Sequence, residues 1–129
     1  MKKVAVVILN YNGKKFLEKF LPTVIEHSSD VADIVVADNA STDDSVAFMR
    51  KTFPDIRLII NENNGGFSTG YNLALRQIEA EYYCLLNSDI EVTPHWIEPV
   101  IELMDNDATI AACQPKILSY PYKEKFEYA

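Results

Sequence analysis

Residues 3–9 read KVAVVIL, and the polar tetrapeptide NYNG follows them at residues 10–13. An almost unbroken run of β-branched and other apolar side chains predicts a strand that is buried on both faces, as in a parallel sheet. The polar residues then lie at the carboxyl end of that strand, which is where open α/β sheets bind their ligands.

The rest of the chain repeats the alternation of strand and helix. Further strands are predicted at residues 33–38, 56–60, 82–86 and 110–118. Helical spacing predicts helices between them, with Asn12 and Thr93 as N-caps and a kink or tightened turn at Pro22. This order predicts an α/β fold with a mainly parallel sheet and helices on both faces. No linker or repeat interrupts residues 1–129, so we expect a single domain.

The composition is that of a folded, soluble protein, with 48% hydrophobic and 24% charged residues. The longest apolar run is too short to span a bilayer, and no signal peptide is visible, which favours a cytoplasmic location. The net charge of −7 argues against nucleic acid as a partner. Cys84 and Cys113 occur in apolar surroundings and match neither a disulfide framework nor a metal pattern.

Four polar clusters follow the first four predicted strands and are the main functional signal in the sequence. They occupy residues 10–13, 38–42, 61–66 and 87–89. Because the carboxyl ends of parallel strands meet at one edge of a sheet, we expect the clusters to line one ligand site. No G-x-G-x-x-G follows the first strand, which argues against a dinucleotide-binding enzyme.

Each cluster also allows a purely structural interpretation. Asp38 can accept hydrogen bonds from a ribose or a pyrimidine, or it can turn its own loop. Residues 63–66 (NNGG) can offer backbone N–H groups to a phosphate, or they can form a tight turn. Asn72 can reach back to that loop or face solvent. Asp89 offers the oxygen that Mg²⁺ or Mn²⁺ prefers, but a diphosphate would have to complete the coordination shell.

Several other residues are interpreted as structural. His27 and His95 have no nucleophile or second ligand near them in sequence, and Trp96 begins an apolar helical stripe. The end of the chain forms an aromatic tail, which suggests a segment that packs against another surface. The aromatic residues of this tail are Tyr120, Tyr122, Phe126 and Tyr128.

Together, the four clusters resemble family 2 glycosyltransferases. The segments that carry the resemblance are VVILNYNG (6–13), VVADNASTDDS (35–45), NENNGGFSTGYNLAL (61–75) and LLNSDIEV (85–92). They are most similar to the rhamnosyltransferase-like branch, which has the patterns DNAS-T-D, N-x-G-F-x-x-G-x-N and N-x-D. The match is collinear and covers nearly the whole chain. It implies a GT-A fold and the inverting transfer of a sugar from a nucleoside diphosphate to an acceptor hydroxyl.

The resemblance also implies which residues bind the nucleotide sugar. Tyr11 and Asp38 would contact the nucleobase, and Asn39 would support that loop. The residues that would line the rest of the nucleotide-sugar pocket are Asn64, Gly65 and Asn72.

A metal site follows from the same resemblance. Asp89 would match the last aspartate of the family's D-x-D motif and bind Mg²⁺ or Mn²⁺ through the diphosphate. The ion would then act as a Lewis acid on the departing diphosphate. The first position of the motif is Asn87 in this chain. Asn87 or Ser88 can still contact the ribose, whereas Asn87, which lacks the negative charge, is a weaker candidate for direct metal ligation.

No residue of this chain can be assigned as the general base, which the family takes from a second half that also builds the acceptor site. Glu91 lies too close to the metal motif, and Glu98, Glu102 and Asp105 have the spacing of solvated helix residues. We therefore expect an incomplete GT-A domain, the N-terminal donor-binding part of a longer enzyme. Alone, it is expected to bind nucleotide weakly and to transfer no sugar.

The resemblance suggests a role in cell-surface polysaccharide synthesis, with a pyrimidine-nucleotide sugar as donor and a glycan or lipid-linked acceptor. Such enzymes often work at the cytoplasmic face of the membrane. One alternative is a non-catalytic nucleotide-binding or assembly module that uses its aromatic tail as an interface. Another is a nucleotidyltransferase, but LNYNGKK lacks the Gly- and Arg-rich phosphate loop that it needs. The tail and an unfinished sheet edge also predict self-association.

Overall fold

The computed structural model describes residues 2–121 and 126–128. The chain divides into two compact units, Met1–Pro94 and His95–Ala129. The first unit contains β1 (Val4–Asn10), α1 (Lys14–Ser28), β2 (Ala32–Asp38), α2 (Ser45–Thr52), β3 (Arg57–Ile60), α3 (Phe67–Leu75) and β4 (Tyr82–Asn87). The second contains α4 (Glu98–Asn106), β5 (Ile117–Leu118) and β6 (Phe126–Tyr128). Whether residues 1–129 form one domain of a longer enzyme stays a prediction.

Within the described residues, no helix has both the length and the apolar character that crossing a bilayer requires.

The first unit is built on a parallel four-stranded sheet in the order β3-β2-β1-β4. The chain moves outward from β1 to β2 and β3, and then returns past β1 to form β4. Because such crossovers are right-handed, α1 and α2 lie on one face of the sheet and α3 lies on the other. The predicted parallel sheet with helices on both faces is therefore confirmed. The reversal of direction puts the topological switch point between β1 and β4.

The core of this unit follows from the strand pattern. Val6 and Val7 of β1 point to opposite faces of the sheet, and both are fully buried. On the α3 face, β1, β2 and β3 contribute Ala5, Val7, Val35, Ala37 and Ile59, which pack against Tyr71, Ala74 and Ile78. From α1, the buried apolar residues are Leu17, Phe20, Leu21 and Val24. The sheet is thus held from both sides, and its carboxyl edge stays free for loops.

The edge strand β4 is less covered than β1. The side chains of Tyr83 and Leu85 are 43% and 52% exposed. These two side chains lie on the same face of β4, so part of that face is exposed. Self-association of the chain stays a prediction. Tyr122 of the aromatic tail lies outside the described residues.

Two helix starts were predicted wrongly, and in both cases a residue with positive φ is the reason. Helix α1 begins at Lys14, because Asn12 has φ 52° and its side chain bonds elsewhere. Helix α4 begins at Glu98, because His95 has φ 58°, which a right-handed helix cannot include. Helix α1 continues through Pro22.

The predicted fifth strand at residues 110–118 is also wrong. Within residues 110–118, only Ile117–Leu118 forms a strand, and it pairs antiparallel with β6 in a separate two-stranded sheet. Residues 111–114 (AACQ) contain no β-branched side chain, and Pro115 cannot donate a ladder hydrogen bond. Apolar character alone was therefore insufficient to extend the strand.

The two cysteines differ, although the sequence placed both in apolar surroundings. Cys113 is exposed, whereas Cys84 is partly buried in β4. Burial raises the pKa of the Cys84 thiol to about 11. Because the thiolate is the reactive form, Cys84 should be inert at neutral pH in the folded protein.

We expect an aromatic disulfide reagent at pH 8 to titrate one thiol of the folded chain rapidly and the second only in denaturant. The fast thiol is Cys113, so Cys113→Ser should abolish the fast phase and leave the slow one. Two fast thiols in the folded chain would contradict the burial of Cys84.

Candidate functional site

The four polar clusters lie level at the carboxyl edge of the sheet. The strand register pairs Asn10 with Asp38, Asp38 with Ile60, and Leu9 with Asn87. The loops that follow β1, β2, β3 and β4 therefore leave the sheet side by side. The expected meeting of the clusters at one edge is what the structure shows.

Asp38 organises the first of two buried hydrogen-bond networks at this edge. Its carboxylate Oδ1 accepts hydrogen bonds from Asn10 Nδ2 at 3.1 Å and from Ser41 Oγ at 2.7 Å. Its Oδ2 accepts one from the Ser41 backbone N–H at 2.9 Å. Asp38 is 1% exposed, so these bonds form away from water and fix the loop after β2. The carboxylate acts here as a structural anchor.

Asn39 is the centre of the second network, which holds the loop between β3 and α3. Its Nδ2 donates to Asn64 Oδ1 at 3.0 Å and to the Gly66 carbonyl at 3.3 Å. Asn61 Nδ2 donates to Asn39 Oδ1 at 3.1 Å and to the Gly70 carbonyl at 3.2 Å. These bonds connect Asn39 to the loop between β3 and α3, whereas Asn39 was predicted to support the nucleobase loop, and that role stays a prediction.

The NNGG segment forms a compact loop that leads into α3. Gly66 has φ 97°, a conformation that favours glycine, and its N–H donates to Asn64 Oδ1 at 2.9 Å. A Cβ on Gly65 would lie 2.8 Å from Thr69 Cγ2. Gly66 is thus required by its backbone conformation and Gly65 by its close approach to Thr69, and the Gly66 N–H is already used within the loop.

The loops after β1 and β4 come into contact at the switch point. A Cβ built on Gly13 would lie 2.4 Å from Asn10 Oδ1 and 3.1 Å from Ser88 Oγ. Asn10 Oδ1 is buried and has no hydrogen-bond partner in the described part of the chain. Only a glycine fits between these two side chains.

Tyr71 fixes β4 just before its polar cluster. Its hydroxyl donates to the Leu86 carbonyl at 2.9 Å, and burial raises the pKa of Tyr71 to about 12. The hydroxyl therefore stays protonated and donates at any ordinary pH. In this way α3 positions the turn that carries Asn87, Ser88 and Asp89.

The predicted site residues divide into a buried and an accessible group. Asp38 and Asn39 are 1% and 2% exposed, and their polar atoms bond to other protein groups. Tyr11 is 50% exposed, and Ser88 is half-buried beside Gly13. The other exposed members are Asn64, Gly65, Asn72, Asn87 and Asp89.

Few side chains in the described part of this edge could coordinate a metal ion. In the part of the chain that the structure describes, no three His, Cys, Asp or Glu side chains form a cluster. Asp89 presents one exposed carboxylate at the end of β4. A single hard oxygen ligand fits Mg²⁺ or Mn²⁺ only where a phosphate group and water supply the remaining positions.

Four framework residues were absent from the predicted site, namely Asn10, Asn12, Ser41 and Asn61. A signal for two of them was available in the sequence. Asn10 ends β1 and Asn61 follows β3, just as Asp38 ends β2. A buried amide at the end of a central strand needs partners, and its nearest polar neighbours are the adjacent strand ends.

Known proteins share this sequence pattern. The family described as glycosyl transferase family 2 matches residues 5–126 of the chain. Over 116 residues, the chain is 26% identical to the teichoic acid poly(glycerol phosphate) polymerase of Staphylococcus epidermidis. That alignment covers 86% of this chain and 16% of the polymerase.

Solved transferases share the fold. Staphylococcus aureus TarS in complex with UDP-GlcNAc is 25% identical, with a TM-score of 0.68 over 82% of this chain and 32% of that one. The mannosyltransferase PcManGT from Pyrobaculum calidifontis, in complex with GDP-Man and Mn²⁺, is 23% identical with a TM-score of 0.69. Its alignment covers 89% of this chain and 33% of the mannosyltransferase. The fold is thus of the GT-A type, and the chain spans about a third of each solved transferase.

The contact between Gly13 and Asn10 has a measurable consequence for stability. We expect Gly13→Ala to lower the free energy of unfolding by about 1–3 kcal/mol, because the new methyl group meets a side chain that Asp38 holds in place. The effect is measured by urea denaturation.

The matched control is the same substitution in an Asn10→Ala background, where the clashing oxygen is gone. There, Gly13→Ala should cost less than it does in the unaltered chain. Equal costs in the two backgrounds would show that the Asn10 oxygen does not restrict this position.

Proposed function

Because the chain belongs to glycosyl transferase family 2, we propose that it is the donor-binding part of an enzyme that transfers a sugar from a nucleoside diphosphate to an acceptor hydroxyl, with inversion. One observation carries the proposal: the loops after β1 and β4 leave the sheet level with each other at the switch point, and the loop after β2 leaves it beside them. In open α/β sheets this is the place where nucleotides bind.

The nucleoside would bind at the loop after β1. Tyr11 offers a half-exposed aromatic ring there, and such rings stack on nucleobases. Asp38 fixes the neighbouring loop after β2, and Asn39 holds the loop between β3 and α3, so both would shape the pocket from buried positions. The likeness to TarS, which was solved with UDP-GlcNAc, supports a donor whose sugar is attached to a pyrimidine nucleotide.

The diphosphate would lie towards β4. Asp89 is the exposed carboxylate on that side and would hold Mg²⁺ or Mn²⁺ together with the diphosphate oxygens. When bound, such an ion stabilises the negative charge that develops on the departing diphosphate. Asn87 and Ser88 would not hold the metal ion and would face the ribose. Asn64, Gly65 and Asn72 would line the remainder of the pocket.

The acceptor site and the general base would come from other parts of the full-length enzyme. The chain spans 16% of the teichoic acid polymerase and about a third of the solved transferases. The likeness to that polymerase supports an acceptor that belongs to a cell-surface polymer, either a glycan or a lipid-linked precursor. By itself, this chain would bind the donor and transfer no sugar.

Calorimetric titration with UDP, dTDP and GDP, each with and without Mn²⁺, tests donor binding. We expect one pyrimidine diphosphate to bind in a manner that depends on Mn²⁺. Asp89→Ala should weaken that binding about tenfold or more, which corresponds to at least about 1.4 kcal/mol. Asp55→Ala is the matched control, because it removes an exposed carboxylate at the opposite end of the strands.

The outcomes of this titration discriminate between functions. Failure of all three nucleotides to bind in the presence of Mn²⁺ would refute donor binding by this chain. Nucleotide binding without sugar transfer by the full-length protein would favour a non-catalytic nucleotide-binding module instead.

The ring of Tyr11 has its own test. Tyr11→Ala should weaken nucleotide binding by roughly 1–3 kcal/mol, the usual worth of stacking one base on an aromatic ring, whereas Tyr11→Phe should retain most of the affinity. The melting temperature should change little, because half of this side chain is exposed. Equal affinities for Tyr11→Ala and the unaltered chain would remove Tyr11 from the pocket.

A further inference from the structure

Asn12 forms most of the hydrogen bonds that join the loop after β1 to the loop after β2. Its Oδ1 accepts hydrogen bonds from the backbone N–H groups of Thr42 at 2.7 Å and Asp43 at 3.1 Å. Its Nδ2 donates to Thr42 Oγ1 at 3.1 Å, and its own N–H donates to Ser41 Oγ at 2.9 Å. One residue thus contacts three consecutive residues of the neighbouring loop, which lie about thirty positions further along the chain.

Asn12 forms these bonds from an unfavourable backbone conformation. Its φ is 52°, in the left-handed region that side chains other than Asn, Asp and Gly rarely adopt. The facing loop contains a second left-handed residue, Ala40, with φ 63°. Strained residues of this kind persist only where the surrounding contacts hold them, and they concentrate at ligand sites.

Tyr11 lies between two fixed points. On one side, buried Asn10 donates a hydrogen bond to Asp38, and on the other, Asn12 accepts hydrogen bonds from Thr42 and Asp43. These partners belong to the end of β2 and to the loop that follows it. The backbone of Tyr11 is therefore set by that loop, although half of its side chain is exposed to solvent.

We propose that Asn12 is a positioning residue that fixes Tyr11 for the nucleobase before the nucleotide arrives. This inference rests on the proposed function, in which Tyr11 stacks on the base. With Asn12 in place, the two loops form one preorganised rim, and less conformational entropy is lost on binding. Asn12 acts through Tyr11 and does not touch the nucleotide.

The test is a thermodynamic cycle between Asn12→Gly and Tyr11→Ala. Glycine adopts the same left-handed backbone without strain, so Asn12→Gly removes the side-chain bonds alone. Affinity for the pyrimidine diphosphate that binds the unaltered chain, UDP or dTDP with Mn²⁺, is measured by calorimetry. We expect Asn12→Gly to weaken binding roughly 2- to 12-fold, the cost of ordering one side chain on association. In the Tyr11→Ala background it should have no further effect.

Two further variants separate positioning from general loosening of the fold. Asn12→Asp keeps the oxygen that accepts from Thr42 and Asp43 and tolerates the left-handed backbone, so it should restore most of the affinity. Asn106→Gly, an exposed asparagine at the end of α4, should leave affinity unchanged.

Each failure has a distinct signature. A loss of affinity on Asn12→Gly that is equal with Tyr11 present and in the Tyr11→Ala background would overturn the inference, because a merely structural role gives additive losses. Unchanged affinity in Asn12→Gly would overturn it as well. In both cases the unaltered chain still binds nucleotide, so the proposed function stands. Absence of binding by the unaltered chain overturns the proposed function and this inference together.

Discussion

The site depends on one buried interaction, the hydrogen bonds that the Asp38 carboxylate accepts from Asn10 and Ser41. A carboxylate that is 1% exposed is stable only where donors surround it. These donors come from β1 and from the loop after β2, so satisfying the carboxylate also fixes both segments relative to each other. Gly13 packs against the Asn10 side chain that Asp38 holds, and the Ser41 hydroxyl that bonds to Asp38 also accepts from the Asn12 N–H.

The motif residues at the carboxyl edge of the sheet have two different roles. Buried amides and one buried carboxylate hold the loops, whereas Tyr11 and Asp89 remain accessible. Asn10 Oδ1 is buried without a hydrogen-bond partner in the described residues. The bonds of Asp38 and Asn39 nevertheless fix their loops, which suits a pocket that must keep its shape before a ligand arrives. A motif residue can therefore be essential to a pocket without touching its ligand.

Much of the fold was predictable, because long apolar strands and helical spacing are strong local signals. The four strands of the first unit begin and end within about one residue of the expected positions, and the polar clusters meet as the parallel topology requires. The starts of α1 and α4 were not predictable, since they depend on the positive φ of Asn12 and His95. The side-chain hydrogen bonds of Asn12 connect residues about thirty positions apart, and a local sequence pattern cannot predict such contacts.

The strand order has a consequence for how the site comes into being. Val4 pairs with Tyr82, although 78 residues separate them in sequence, so the two halves of the switch point are joined last. Pairings of such high contact order are slow, because chain closure precedes any gain in contacts. Until β4 is synthesised, one edge of β1, which is apolar from Val4 to Leu9, has no strand beside it and can pair with other chains. A ribosome-bound chain that ends before residue 82 therefore exposes an unpaired strand edge beside the switch point where its ligand site will later form.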